Sequence, residues 1–494
     1  MTASQETTGI LAGEQRMLID GELVPASGGA LFGVVHPANE EVVGTVADGS
    51  VGDVDRAVTA AARAFEQTNW ARDVELRYHC LTQLHDALQR NTDRLVRLLV
   101  TEVGCPISTA QVQVAGAIAE VKHWAQHGRT FRYVQDTGIH PAPMGTARRL
   151  THHVPLGVVG AITPWNVPLY LNLAESIPAL MAGNTVVLKP AQLTPWEGTE
   201  LGRIVAEETE IPPGVFNVVT SNANEVGAAL SADPRVDMIT FTGSTATGRA
   251  ILAAGASTVK KTLLELGGKS AHIYLDDADF ARTLPMTATM ACVMSGQVCT
   301  LSSRILLPRR RYDEGIAILR AAMESTPVGD PWNHSIIQGP QISAMQRAKV
   351  LGLVQSSISA GARLVTGGAV PADLPVGYFV QPTLLADVEP ASQIAQEEIF
   401  GPVLTVTPYD TDDEAVAIAN DSIYGLSGEV TGSDLDRAKS VALRMRTGNV
   451  TVNGASHFGI TSRFGGMRQS GLGYRNGDSG FLEYLHGKTI GLPS

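Results

Sequence analysis

Between residues 155 and 267 the chain alternates short, almost continuous apolar runs with helical patterns, and no other stretch constrains the fold as tightly. Runs rich in Val and Ile recur at 157–162, 185–188, 215–219, 237–241 and 261–264. A strand that is apolar throughout, instead of at every second residue, needs cover on both faces, and the intervening helices supply it. The segment therefore reads as a doubly wound parallel sheet, which binds ligands at the carboxyl ends of its strands. Within it, Thr194-Pro195-Trp196-Glu197 reads as a helix start, with Thr as N-cap, Pro in the first position and Glu returning to the cap. Ile211-Pro212-Pro213-Gly214 ends that helix before the next strand.

The flanking regions follow the same logic. Residues 17–24 read as a hairpin turned at Asp20-Gly21, a dipeptide that tolerates positive φ. From about 54 to 131 apolar residues fall at helical spacing. A second α/β stretch runs from about 276 to 452, with strand-like runs at 304–307, 383–388 and 403–408. The boundary between the two stretches is placed at Gly267-Gly268 on the motif there. The last ~20 residues read as a tail, and tails beyond a core often serve assembly. A chain of 494 residues fits roughly two to four domains.

Composition excludes several classes. Hydrophobic residues at 44% and charged residues at 17% suit a well-packed globular chain. Lys+Arg is 37 against Asp+Glu 49, a net charge of −12, and no basic run occurs, which argues against nucleic-acid binding. The four cysteines (Cys80, Cys105, Cys292 and Cys299) have no metal-site spacing and are too sparse for a disulfide framework. The N-terminal MTASQETTGILAGEQ lacks a leader pattern, no apolar run approaches the ~18 residues of a membrane span, and the C-terminal GLPS carries no address signal. The expectation is a cytoplasmic protein with no membrane, nucleic-acid or metal partner.

Five short motifs are able to carry chemistry, each with a bland alternative. Thr163-Pro164-Trp165-Asn166 follows a strand and offers the Asn166 amide to a developing oxyanion; alone it is a turn with a packing Trp. Phe241-Thr242-Gly243-Ser244, with Gly248 beyond, leads a strand into a helix whose N-terminus suits a pyrophosphate, although tight strand–helix turns use Gly anyway. Glu265-Leu266-Gly267-Gly268-Lys269 places a carboxylate at a strand end as a general base or an ordinary loop exit. Ser295-Gly296-Gln297-Val298-Cys299 offers a thiol nucleophile, or a small buried hydrophobe, a description that suits Cys292 better. Glu397-Glu398-Ile399-Phe400-Gly401-Pro402 offers acids for a ribose diol beside a flat ring, or a surface charge pair. Lys189-Pro190 ends a strand. The glycine-rich 471–477 segment imitates a dinucleotide loop but follows no hydrophobic strand, and reads as a loop or turn.

Their order along the chain is decisive. TPWN, Lys189-Pro190, FTGS…G, ELGGK, GQVC and EEIFGPV, with Glu265 and Cys299 34 residues apart, resemble the aldehyde dehydrogenase superfamily from about residue 17 to the C-terminus. The resemblance implies a fold of three parts: a dinucleotide-binding domain (1–132 and 155–267), a catalytic domain (268–467) and an oligomerisation arm and tail (133–154 and 468–494). It implies oxidation of an aldehyde to the acid, with Cys299 forming a thiohemiacetal and then a thioester, Asn166 and the Cys299 N–H holding the oxyanion, and Glu265 activating the hydrolytic water. It also implies NAD or NADP in a site made by Ile162, Thr163, Pro164, Trp165, Lys189, Gln192, Gly227, Phe241, Thr242, Gly243, Ser244, Leu266, Gly267, Glu398 and Phe400. The GxxxxG turn of 243–248 stands in place of GxGxxG.

Two positions depart from the family. Gln192 stands where many NAD-preferring members have Glu, which leaves NADP open beside NAD. Arg475 aligns with a second acid, which shifts weight onto Glu265. Pocket positions adjoining the motifs are Val167, Tyr170, Leu171, Ala174, Val293, Met294, Val298, Thr300, Phe458 and Phe464, largely apolar, so an aliphatic or terpenoid-like aldehyde is expected. Arg463 beside Phe464 is the argument for a semialdehyde carboxylate instead. The rival chemistries are CoA acylation, against which Glu265 argues, and a non-redox cysteine acyl hydrolase, which lacks an evident His partner; a catalytically silent relative is opposed by Cys299, Glu265 and Asn166. A homodimer or homotetramer is expected from the arm.

Overall fold

The structure, a computed structural model, describes residues 11–493. Residues 1–10 and Ser494, which carry part of the leader reading and the outer limits of the three-part division, lie outside the described residues. Two large sheets organise the chain, joined by Glu265-Leu266-Gly267-Gly268-Lys269-Ser270.

The first sheet has eight strands in the spatial order Gly471–Leu472, Lys261–Glu265, Met238–Thr242, Val158–Ile162, Thr185–Lys189, Phe216–Val218, Met17–Ile19 and Glu22–Val24. The central five are parallel, and the strands at both margins are antiparallel. All five apolar runs read in the sequence are strands here. The winding direction reverses between Val158–Ile162 and Met238–Thr242, and at such a reversal the loops diverge and open a crevice. Both faces are covered, as the patterning requires: Val159, Ala161, Val186 and Leu188 join one core, and Val158 and Val187 the opposite one. The helix Pro168–Ala182 is buried along nearly its whole length beside this sheet, and it ends at Gly183, whose φ of 101° closes the last turn in left-handed geometry.

The second sheet runs Arg363–Thr366, Thr383–Ala386, Val403–Tyr409, Arg304–Pro308, Ala271–Tyr274, Ser427–Thr431, Asn449–Val452, parallel except at its first pair. It too is buried on both faces, with Ile305 and Leu307 on one side and Leu306 on the other. The helical stretch of the sequence resolves into four helices, Val51–Gln67, Val74–Arg90, Thr92–Val103 and Ile107–Thr130. A three-stranded antiparallel sheet joins Val134–Ala142, Gly145–Pro155 and Leu485–Pro493, and its residues are largely exposed. A strand pair at Leu31–His36 and Glu41–Ala47 has no counterpart in the sequence reading. No helix among the described residues is long and apolar enough to cross a membrane.

Two local expectations are corrected. The Asp20-Gly21 turn forms as read, with φ of 60° and 81°, but the capping box at 194–197 does not. The helix is Trp196–Glu208 with Pro195 at its cap, and the Thr194 hydroxyl and Glu197 carboxylate have no partner. The buried carboxylate of Glu102 takes their place, accepting from Trp196 N at 2.8 Å and Glu197 N at 2.9 Å. A buried carboxyl acceptor delivered from a packed neighbouring helix displaces the local Thr–Glu pair. The 471–477 segment begins as a strand and not as a loop. Gly471 pairs with Glu265, and a Cβ on it would lie 2.5 Å from the Leu264 carbonyl oxygen, so only glycine lets the two backbones close.

Candidate active site

The strand ends of the first sheet converge on one cavity of about 630 Å³. Val158–Ile162 delivers Pro164, Trp165 and Asn166 to it; Met238–Thr242 delivers Thr242, Gly243 and Ser244; Lys261–Glu265 delivers Glu265, Leu266 and Gly267. From the second sheet's side come Met294, Val298, Cys299 and Thr300, together with Glu398 and Phe400. All the motifs but Lys189-Pro190, though scattered over the sequence, share a single space.

The loop bearing Cys299 is shaped by three consecutive left-handed residues, Met294 at φ 54°, Ser295 at 56° and Gly296 at 70°. Such geometry is costly for non-glycine residues and persists where the surroundings hold it. The Ser295 hydroxyl donates to Gly339 O at 2.7 Å, Gln341 Nε2 donates to Ser295 O at 2.9 Å, and Gln297 Oε1 accepts from Ile342 N at 2.9 Å. Asn166 Nδ2 donates to Gln297 O at 2.9 Å, which pins the Asn166 amide two residues from Cys299. An amide nitrogen carries two hydrogens, so one donor is spent on positioning and one remains for the cavity. Gly268 packs so closely on this loop that a Cβ there would lie 2.5 Å from Cys299 O.

The electrostatics of the centre are those of groups taken out of water. Burial pushes the half-buried Cys299 thiol up to about 12, and the nearby Glu398 and Glu265 carboxylates add to the shift. Burial also holds Glu265 well above the usual carboxylate range; it is 4% exposed and neither oxygen has a partner. Burial thus disfavours the charged form of both thiol and carboxyl. Glu398 is raised by burial, while the Gly268 amide at 2.9 Å, Lys349 and Lys269 act to lower it.

On the cofactor side, Ser244 caps the helix Thr245–Gly255, accepting from Thr247 N at 3.1 Å. The first-turn N–H groups of that helix have no intrahelical acceptor and form the positive end of its dipole. A Cβ on Gly267 would lie 2.6 Å from Glu398 Oε2, so the glycine admits the carboxylate. Phe400 stands edge-on to Trp165 at 5.2 Å. Gln346 Nε2 donates to Phe400 O at 2.9 Å and holds it at a φ of 59°. Lys189 is buried and lowered to about 8 by that burial, and Gly227 lies against its side chain. A nucleotide's anionic and diol groups fit this donor and acceptor set.

Several expected positions lie outside the cavity lining. Ile162, Thr163 and Phe241 act from behind it: Thr163 Oγ1 donates to Asn172 at 2.6 Å, and the Phe241 ring packs under Gly243. Lys189, Gln192 and Gly227 belong to the neighbouring strand end and helix and do not line it. Ala174 is buried one turn deeper on the helix that presents Tyr170 and Leu171. Val293 packs on the core because the left-handed turn that follows sends only Met294 to the cavity. Val167, Phe458 and Phe464 are on the wall as read, whereas Arg463 is exposed and stacks on Tyr474 at 4.6 Å. The sequence reading missed Val112, Gln113 and Gly116 on one face of the helix Ile107–Thr130, which no motif marks. It also missed Gln346 and Lys349, and it placed Arg475 and Asn476 in a tail where the structure has them on the wall.

Comparison with known proteins agrees with this geometry. A family model described as the aldehyde dehydrogenase family matches residues 23–490. The 3-succinoylsemialdehyde-pyridine dehydrogenase of a Pseudomonas species is 40% identical over 474 residues, spanning 96% of this chain and 97% of that protein. Geranial dehydrogenase of Castellaniella defragrans is 38% identical over 483 residues, spanning 97% and 98%. Among solved structures, a cysteine-to-alanine variant of aldehyde dehydrogenase C from Pseudomonas syringae, in complex with NAD+ and octanal, is 39% identical. It matches with a TM-score of 0.91 over 97% of this chain and 96% of that one.

Proposed function

The chain belongs to the aldehyde dehydrogenase family, and from that premise we propose that it oxidises an apolar, aliphatic or terpenoid-like aldehyde to the acid at Cys299. Enzymes of this class take an aldehyde to its acid with a catalytic cysteine and NAD(P). The observation that carries the finer reading is that Cys299, Glu265 and Asn166 share one cavity whose far wall is apolar, with Val112, Val167, Leu171, Phe458 and Phe464.

As the thiolate, the Cys299 sulfur adds to the aldehyde carbon, and the remaining Asn166 N–H and the Cys299 backbone N–H hold the oxygen as it gains charge. A nicotinamide packed at Phe400 would supply hydride acceptance, with Glu398 to hold its ribose, the Ser244-capped helix its pyrophosphate and Lys189 the adenosine ribose. Glu265 then takes a proton from water as the water oxygen attacks the acyl carbon, and the C–S bond breaks to return the thiolate. Gln192 puts no charge near the adenosine ribose, so NADP is a second cofactor beside NAD.

The apolar reading is supported by the geranial and octanal relatives and by Arg463, which is stacked on Tyr474 away from the cavity wall. Neither rival is favoured: the presence of Glu265 suits water over CoA, and no histidine lies among the described lining residues to serve a hydrolase. We read the exposed sheet of Val134–Ala142, Gly145–Pro155 and Leu485–Pro493 as the arm of a homodimer or homotetramer, with residues 1–132 and 155–267 as the cofactor domain and 268–467 as the catalytic domain. Its open edge is safer paired than exposed.

Reduction of NAD and of NADP with octanal, geranial and a short acidic semialdehyde, each with and without CoA, tests the reading. Turnover without CoA that favours the apolar aldehydes and vanishes in Cys299→Ala is expected. A large kcat/KM advantage for the semialdehyde would overturn the substrate class, and a strict CoA requirement would overturn hydrolysis.

A further inference from the structure

Arg475 is a cation built into the cavity wall. It is 8% exposed, and its guanidinium contacts the carboxylate of Glu175, itself fully buried on the helix Pro168–Ala182, and the hydroxyl of Thr242. Its backbone is fixed by a reciprocal pair of 2.7 Å hydrogen bonds with Phe464. Glu120, Tyr170 and Tyr484 are the other ionisable groups that bear on it. One donor is left over, since Arg475 Nε is buried and unpartnered.

The base of the proposed hydrolysis is next door. Thr242, which Arg475 grips, is the register partner of Glu265 on the adjacent parallel strand, so the two side chains share a face. Gly465, which follows Phe464, would carry a Cβ 3.4 Å from Glu265 Oε1. Arg475 and Glu265 both line the cavity, and each holds a buried polar group without a partner, which is expensive to leave unmet. A water within reach of both would satisfy them.

We propose that Arg475 is a positioning residue for the hydrolytic half of the reaction, holding the attacking water by its Nε–H in line with Glu265; this rests on the hydrolytic reading above. A guanidinium does not give up its proton, so Arg475 orients and does not relay. With Nε–H donated to one lone pair of the water, a water hydrogen points to Glu265. Glu265 takes that proton, the water oxygen bonds the acyl carbon, and the electron pair of the breaking C–S bond returns to Cys299. The Glu175 and Thr242 contacts keep the guanidinium from swinging onto the carboxylate product.

Rapid-mixing measurements of NADH formation with octanal separate the two half-reactions. In Arg475→Gln, a burst of about one NADH per active site at the wild-type rate, followed by a steady rate at least tenfold below wild type, is expected. Arg475→Lys keeps a cation opposite Glu175, and so preserves the fold, but lacks Nε; a burst with a steady rate at least threefold down is expected. Burst and steady phases falling by the same factor, or a steady rate within twofold of wild type in both variants, would overturn the proposal. Wild-type protein that reduces no NAD(P) with any aldehyde would instead overturn the reading on which it rests.

Discussion

Gly268 and Cys299 approach so closely that a methyl group on the glycine would lie 2.5 Å from the cysteine's carbonyl oxygen. The turn joining the two sheets is thus one wall of the mould in which the Cys299 loop is cast. Gly268→Ala must push that loop, because backbone and not a flexible side-chain tip is in the way. A kcat at least tenfold lower is expected, with a loss of about 1–3 kcal/mol in stability from overpacking; steady-state kinetics and a thermal melt on the same preparation check it.

The thiol of Cys299, pushed up to about 12 by burial and by its carboxylate neighbours, is a poor nucleophile in the resting protein. Thiolate is the reactive form, and its fraction rises about tenfold per pH unit below the pKa. Alkylation of Cys299 by iodoacetamide without cofactor is therefore expected to accelerate steeply from pH 7 to 9. Mass spectrometry of the labelled peptide reads it, and a flat profile would contradict the burial effect.

Glu102 offers a pH prediction for stability. Burial raises its carboxyl to about 8, against about 4.3 for an exposed Glu. Between these values the unfolded chain has lost a proton that the folded chain keeps, so its stabilising contribution falls as pH rises from about 4.3 to about 8. Glu102→Gln has no such proton and leaves one of the two capped N–H groups without an acceptor. It is expected to melt below wild type at pH 5, by about 1–3 kcal/mol, with the deficit shrinking toward pH 8.

Gln192→Glu places a carboxylate where the adenosine ribose would lie. Repulsion of a 2′-phosphate is expected to lower kcat/KM for NADP at least tenfold relative to NAD. An unchanged ratio would mean that Gln192 does not face the ribose.

The sequence disclosed the site largely because the fold concentrates it at strand ends. Runs such as 237–241 declare a buried strand, and the motif that follows each must lie at the sheet's carboxyl edge. Asn166, Ser244 and Glu265 were legible for that reason. Pairings between distant segments leave no local trace. Glu102 caps a helix 94 residues downstream, and the Thr194 signature gave no hint that it would be displaced. The contact of Arg475 with Thr242 spans 233 residues, and the glycine-rich run around Arg475 looked like a surface turn. Gln113 and Gly116 reach the cavity only through the packing of their helix, which periodicity alone does not orient.

The strand Gly471–Leu472 and the two wall residues that follow it bear on the order in which a newly made chain becomes competent. Cys299, Glu265 and every strand of the two large sheets except Gly471–Leu472 are synthesised before that segment, yet the cavity lacks part of its wall until it docks beside Glu265. A chain stopped short of it has the Cys299 thiol without the completed cavity wall, so closure of that wall follows translation of residues 471–476.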